Sequence, residues 1–270
     1  MFKEKKRKDF ANGSVYMLRT EDGYPIEVTD TFLPYYTKDA IGRKQNGLKS
    51  NDLGSRQDRW MIGVSVMSGC PVGCKFCATG KLKKCRNLTA QEIVEQVLFV
   101  IRKQEGNFVK DLLFKAPPKE FKINYTRMGE PFLNIENVRE AIDIIDTLFP
   151  GITVHHYIST IGIKGADYSW IKDNITLQFS VHSFDETYRD WLIPYKNKIT
   201  IETMGKVRTK SALKTTLNLT MARKEDFDID KMKKFFTKEH FFVKISPINP
   251  NDVSKANNMG DGIIKQQNLV

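Results

Sequence analysis

Between Met61 and Ile245 the chain repeats one unit, a short apolar strand, a loop and an amphipathic helix, and this alternation restricts the fold more than any other feature. Strand-like runs occupy Met61 to Met67, Phe121 to Thr126, Val154 to Ser159, Leu177 to Val181, Lys214 to Thr220 and Phe242 to Ile245. A helix opens at Leu88-Thr89-Ala90-Gln91-Glu92, where Thr89 and Glu92 have capping-box spacing, and runs to about Lys103. Apolar residues recur at helical spacing from Ile135 to Leu148, and Lys231 to Phe236 belongs to a further helix. Strands that alternate with helices pair in parallel, which predicts an α/β fold, a partial (β/α)6 barrel. Ahead of it, residues 14–34 read as a small N-terminal β-hairpin turning at Asp22-Gly23, and the polar stretch 35–58 reads as a long loop or insertion. The expected organisation is a hairpin and loop at 1–58, the barrel at 59–250 and a C-terminal tail at 251–270, disordered or folded over the barrel mouth.

Unusual polar residues fall at the C-terminal ends of these strands. Cys70 follows the first, Gly129-Glu130-Pro131 the second, Ser159 ends the third, Ser180 to Ser183 the fourth, and Asn249 follows the sixth. In β/α barrels that rim is where catalysis is built. Each position also has a structural reading: a turn at Gly129-Glu130, a cap at Ser159, a core histidine at His182. Their common placement on one rim favours a site.

Cys70, Cys74 and Cys77 form a C-x3-C-x2-C triplet in a chain with only one other cysteine, Cys85. Three thiolates on one loop can hold three irons of a 4Fe-4S cluster and leave the fourth iron open to a ligand. The competing reading is a zinc knuckle with a distant fourth ligand, but zinc sites favour a second Cys/His pair, which this sequence lacks. Few cysteines, three of them clustered, suit a reducing cytoplasm rather than a disulfide scaffold. No long apolar run offers a membrane span, so no membrane partner is expected. An excess of 43 Lys+Arg over 32 Asp+Glu gives a net charge of +11, enough to attract phosphates. Basic clusters lie at Lys3 to Lys8, around Lys81 to Arg86, and at Lys231 to Lys234; solvated lysines and a loose terminus account for them equally well.

With these residues placed, the chain resembles the radical-SAM superfamily, and within it the RlmN/Cfr family of 23S rRNA adenine methyltransferases. The matching segments are SGCPVGCKFCATG, RNLTAQEIVEQV, RMGEPFLNIENV, YISTIGI, FSVHSFDETYRDWLIPYKNK and KISPINP, in family order over roughly residues 60–250, with a weaker match of EDGYPIEVTDTFLP. The resemblance implies a 4Fe-4S cluster on Cys70, Cys74 and Cys77 and S-adenosyl-L-methionine (SAM) on its open iron, cleaved reductively to a 5′-deoxyadenosyl radical that abstracts hydrogen from a substrate. It implies that Gly129 and Glu130 meet the SAM amino group, and that Ser159, Ser180, Val181, His182 and Asn249 line its carboxylate, ribose and adenine. It also implies an RNA or nucleotide substrate and an external electron donor such as flavodoxin or ferredoxin. Glu27 falls where the family places a glutamate proposed as a proton acceptor; an exposed hairpin carboxylate is the other reading.

The chain departs from the family at two further cysteines, a methyl carrier near the C-terminus and a resolving thiol on strand one. The strand-one position, seven residues before Cys70, is Gly63, and the sequence ends at Val270, shortly after Asn249. One alternative keeps RNA adenine methylation, with Cys85 or a partner protein supplying a thiol; Lys84 and Arg86 beside Cys85 are expected to favour its thiolate. Another is a non-enzymatic iron-sulfur or SAM-binding protein.

Overall fold

The computed structural model describes residues 2–35, 53–82, 84–104 and 117–259. Most of the expected insertion at 35–58, and the chain beyond Met259, lie outside the described residues.

One nine-stranded sheet runs through the molecule. Six of its strands are mutually parallel: β4 (Arg59–Val64), β7 (Glu120–Tyr125), β8 (Val154–Thr160), β9 (Ile175–Ser180), β10 (Thr215–Thr220) and β11 (Phe241–Ser246). Before them an antiparallel meander of β1 (Lys3–Phe10), β2 (Gly13–Arg19) and β3 (Pro25–Leu33) joins the sheet through β3 and β4. The expected hairpin is therefore the inner two strands of a meander. Its turn closes where expected, with the Gly23 amide donating to the Thr20 carbonyl at 3.0 Å. Lys3 to Lys8 form an edge strand rather than a loose terminus. An edge strand tolerates that composition because its lysines face water and discourage pairing with another sheet.

Helices cover one face of the sheet. Helix α1 (Ala90–Lys103) carries the capping box read from the sequence, with Thr89 Oγ1 accepting from the Glu92 amide and the Glu92 carboxylate accepting from the Thr89 amide. Helix α2 (Ile135–Leu148) buries Val138, Ala141, Ile142 and Ile145, which recur at three- and four-residue spacing. Four short helices complete the set: α3 (Glu186–Leu192), α4 (Ile201–Lys206), α5 (Ile229–Phe235) and α6 (Asp252–Ala256). The core under the helices is built from alternate residues such as Phe121, Ile123 and Tyr125 on β7 and Val154 and Ile158 on β8.

The other face is polar, which positions the site. Closed β/α barrels fill their interior with branched apolar side chains. Here the residues between the core positions are Lys122 and Asn124 on β7, Tyr157 and Ser159 on β8, Gln178 and Ser180 on β9, and Asn218 on β10. A hydrophilic lumen cannot hold the sheet together by burial. It leaves room for a polar ligand.

Candidate active site

The three cysteines occupy a loop closed at its base by a two-stranded ladder, β5 (Met67–Ser68) with β6 (Arg86–Asn87). Backbone and side-chain bonds anchor this base. Val66 and Met67 donate their amides to the Met128 carbonyl at 2.8 and 3.1 Å, and Asn134 Nδ2 bridges the Val66 and Leu88 carbonyls at 2.8 Å each. Gly129 fits this arrangement because a Cβ there would lie 2.6 Å from Met67 Cγ, and its φ of +105° suits glycine. From above, the Lys75 amide donates to the Leu192 carbonyl at 2.9 Å, while Asn251 Nδ2 and Asn257 Nδ2 donate to the Phe76 and Lys75 carbonyls, each at 2.9 Å. The segment after Asn249 thus folds onto the cysteine loop as far as Met259, which is buried.

Cys70 and Cys74 pack against the apolar core. Burial pushes the Cys70 thiol up to about 12 and raises Cys74 well above its ordinary value, and the nearby Glu130 and neighbouring thiols push in the same direction. Such thiols stay protonated unless a bound cation offsets the desolvation. Among the described residues no three His, Cys, Asp or Glu side chains converge on a single-ion position. A 4Fe-4S cluster asks for a different layout, with each thiolate on its own iron, and a partly buried three-thiol loop fits that donor set.

Beneath the loop a cavity of about 1510 Å³ runs into the lumen. It brings together Glu27, Cys77, Ser159, Ser180, His182 and Asn249 from the sequence-derived set. Ser159 Oγ lies 3.2 Å from Ser180 Oγ and accepts from Gln178 Nε2 at 2.7 Å, and Gln178 Oε1 accepts from Tyr157 at 2.6 Å. His182 has φ +62° and stands edge-on to Phe76, with ring centroids 4.9 Å apart. Its Nδ1 accepts from the Thr220 amide at 3.0 Å, which requires the unprotonated nitrogen. Burial, helped by the Arg189 charge, pushes this imidazole down to about 3, so it is neutral at physiological pH.

The remaining candidates stand elsewhere. Glu130 is buried behind the cavity, where its carboxylate accepts from the Phe132 amide at 3.2 Å and the Ile161 amide at 2.9 Å. Burial pushes it up to about 7 despite those bonds and one from Thr160. Val181 is fully buried, its amide donating to the Asn218 carbonyl at 3.0 Å and its carbonyl accepting from Arg189 Nε at 3.2 Å. Cys85 is exposed and lies beside Gly69, whose added Cβ would sit 3.2 Å from the Cys85 Cβ. The expected activation of Cys85 is corrected by the structure: the Arg86 guanidinium is taken up by Glu92 and Asp22, and partial burial raises the Cys85 thiol instead.

Two features escaped sequence reasoning. The lumen polar residues Asn124, Tyr157, Gln178, Asn218 and Ser246 were legible only as polar positions alternating within strands expected to be parallel. Arg127 stands in the segment RMGEPFLNIENV with no local pattern to mark it, and it lines the cavity in an ion pair with Glu27.

A family model described as "Radical SAM superfamily" matches residues 64–236. The chain belongs to the radical SAM superfamily. Members of this superfamily use a 4Fe-4S cluster and SAM, and both are cofactors of this chain. Among curated proteins it is similar to the dual-specificity RNA methyltransferase RlmN of Helicobacter hepaticus, 35% identical over 70% of this chain and 51% of the relative. A probable dual-specificity RNA methyltransferase RlmN of Dictyoglomus thermophilum is 29% identical over 89% of this chain and 59% of the relative. The chain thus spans roughly half the length of the relatives it matches. A crystal structure of a radical SAM methyltransferase from Sphaerobacter thermophilus superposes with a TM-score of 0.64 at 21% identity, covering 92% of this chain and 67% of that one, and shares the fold. No described helix is long and apolar enough to cross a membrane.

Proposed function

We propose that this chain is a radical-SAM enzyme acting on RNA or a nucleotide, with residues 59–250 carrying the radical chemistry. The observation that carries the reading is the polar cavity opening directly beneath the three-cysteine loop, with Cys77 on its rim. Bound cluster and SAM would supply one-electron cleavage of the sulfonium, giving methionine and a 5′-deoxyadenosyl radical that takes a hydrogen atom from the substrate.

The residues have separable tasks. Cys70, Cys74 and Cys77 hold the metal. Glu130 offers a buried acceptor whose ionised form an ammonium would favour, so the SAM amino group and this carboxylate stabilise each other. Gly129 allows the close approach of that loop to Met67, and Val181 places the loop after β9 through its backbone. Ser159 and Ser180 present hydroxyls to a carboxylate or ribose. Asn249 and neutral His182 offer hydrogen-bonding groups without adding charge. The polar lumen excludes little water by itself, so the substrate completes the closure.

RNA is favoured by similarity to the RlmN proteins and by the net charge of +11. The alternative reading is RNA adenine methylation that draws on Cys85 or a partner's thiol. An external one-electron donor such as flavodoxin or ferredoxin in a reducing cytoplasm completes the scheme. The test is anaerobic reconstitution with iron and sulfide, followed by mass-spectrometric detection of 5′-deoxyadenosine from SAM and dithionite. Wild-type protein is expected to form it and Cys77→Ala to form none. SAM binding without cleavage in the wild type, with substrate RNA present, would leave a binding protein instead.

A further inference from the structure

Arg127, in the loop after β7, and Glu27, on β3, meet inside the cavity, and the route between them runs over Gly63. A Cβ at Gly63 would lie 2.3 Å from Thr29 Oγ1 and 3.0 and 3.3 Å from Arg127 Cδ and Cγ. The absence of a side chain at 63 is therefore what lets the arginine stem lie across β4. Arg127 is fixed at its other end by its amide, which donates to the Val64 carbonyl at 3.2 Å. Its Nη2 pairs with Glu27 Oε1, while its Nε is buried and has no hydrogen-bond partner among the described residues. A guanidinium carries five donors in a planar fork that matches an oxyanion through two parallel bonds. Glu27 engages one arm only. The cavity lining holds five Lys and Arg residues against two Glu, so the local field favours an anion.

We propose that Arg127 is the substrate anchor of the cavity, seating an oxyanion, the phosphate of a nucleotide unit, on its guanidinium while Glu27 aims it across Gly63. Phosphate as the source of the oxyanion rests on the RNA or nucleotide reading above; the anion site itself does not. Lysine would be a poor substitute, because a point charge cannot reproduce the two-bond fork. Glu27 in this arrangement is a positioning residue.

Calorimetric titration of the reconstituted, SAM-loaded protein with adenosine 5′-monophosphate, ribose 5-phosphate and adenosine tests the assignment. Wild type is expected to bind both phosphates at least ~10-fold more tightly than adenosine. Arg127→Gln is expected to remove that preference, leave adenosine unchanged and keep SAM affinity within about twofold, and Arg127→Lys to restore it only in part. Gly63→Ala should reproduce the phosphate-selective loss by pushing on the arginine stem, and Glu27→Gln should weaken it less; these arms decide the matter if Arg127→Gln fails to fold. Unchanged phosphate binding in Arg127→Gln, or an equal loss for adenosine, overturns the proposal. Arg127-dependent ribose 5-phosphate binding with no binding of the nucleotide or of a short RNA keeps the anchor and removes the RNA reading. RNA binding that ignores Arg127 keeps the RNA reading and removes the anchor.

Discussion

At the scale of single residues, two buried titratable groups near the cavity pull stability in opposite directions with pH. His182 is neutral in the fold and titrates near 3, whereas the unfolded side chain titrates near 6.5. Between those values only the unfolded chain binds the proton, so this contribution is complete above about pH 6.5 and is lost as pH falls, by up to ~1.4 kcal/mol per pH unit. Glu130 is raised to about 7 from 4.5, so the folded state holds a proton that the unfolded chain releases, and stability rises as pH falls from 7 towards 4.5. Replacing His182 by Asn, which tolerates the positive φ, should remove the first effect and leave the second. Urea unfolding of wild type and His182→Asn between pH 7 and 4 checks this: the variant should lose less stability on acidification, and parallel curves would contradict a neutral buried imidazole. His182 was legible as a site residue because it follows a strand. Its neutrality was not, since burial and the Arg189 charge arise only once the loops meet.

At the scale of elements, helix α3 shows how a short helix organises the rim. Arg189 is fully buried, and its guanidinium donates to the carbonyls of Ile161, Val181 and Ile199 at 2.9, 3.2 and 3.0 Å. Those carbonyls belong to the segments after β8 and β9 and before α4, so one side chain ties three loops that frame the cavity. The same helix reaches the cysteine loop through the Leu192 carbonyl. Arg189→Met removes the buried charge but strands three carbonyl acceptors, at roughly 1–3 kcal/mol for each one left unsatisfied. Chemical denaturation should report a loss of at least ~2 kcal/mol, together with fewer irons retained per chain; wild-type stability would show that water replaces the guanidinium. Helices α1 and α2 were readable in the sequence because capping and apolar spacing are local signals, and α2 has the bounds the pattern implies. Helices α3 and α4 span 7 and 6 residues, too few for periodicity to stand out.

At the scale of the whole molecule, the meander and the barrel share one sheet, and their registers place charge beside the cavity. Lys6 pairs with Met17, and Met17 with Glu27, so these three side chains share the face that Glu27 turns to the cavity. Lys8 opposite Val15 and Lys3 opposite Arg19 extend that face, while Tyr16 on the reverse side packs edge-on to Phe99 of α1 at 5.3 Å. If RNA is the substrate, this basic strip should take backbone phosphates. Each neutralised single-strand phosphate steepens the dependence of log K on log salt by about 0.7. The double variant Lys6→Glu/Lys8→Glu should therefore flatten the slope measured by fluorescence anisotropy by roughly 0.7–1.4, and an unchanged slope would place the RNA elsewhere. The parallel strand set, helices α1 and α2 and the cysteine triplet follow from patterns within a few residues of one another, where propensity, capping and ligand spacing act directly. The lumen, the pairing of Arg127 with Glu27 over Gly63, the edge strand β1 and the charges of His182 and Glu130 depend on registers and burial between segments distant in the chain. Tertiary structure decides these, because the energy of a charge or a polar group depends on what excludes water from it, and only the packed molecule supplies those surroundings.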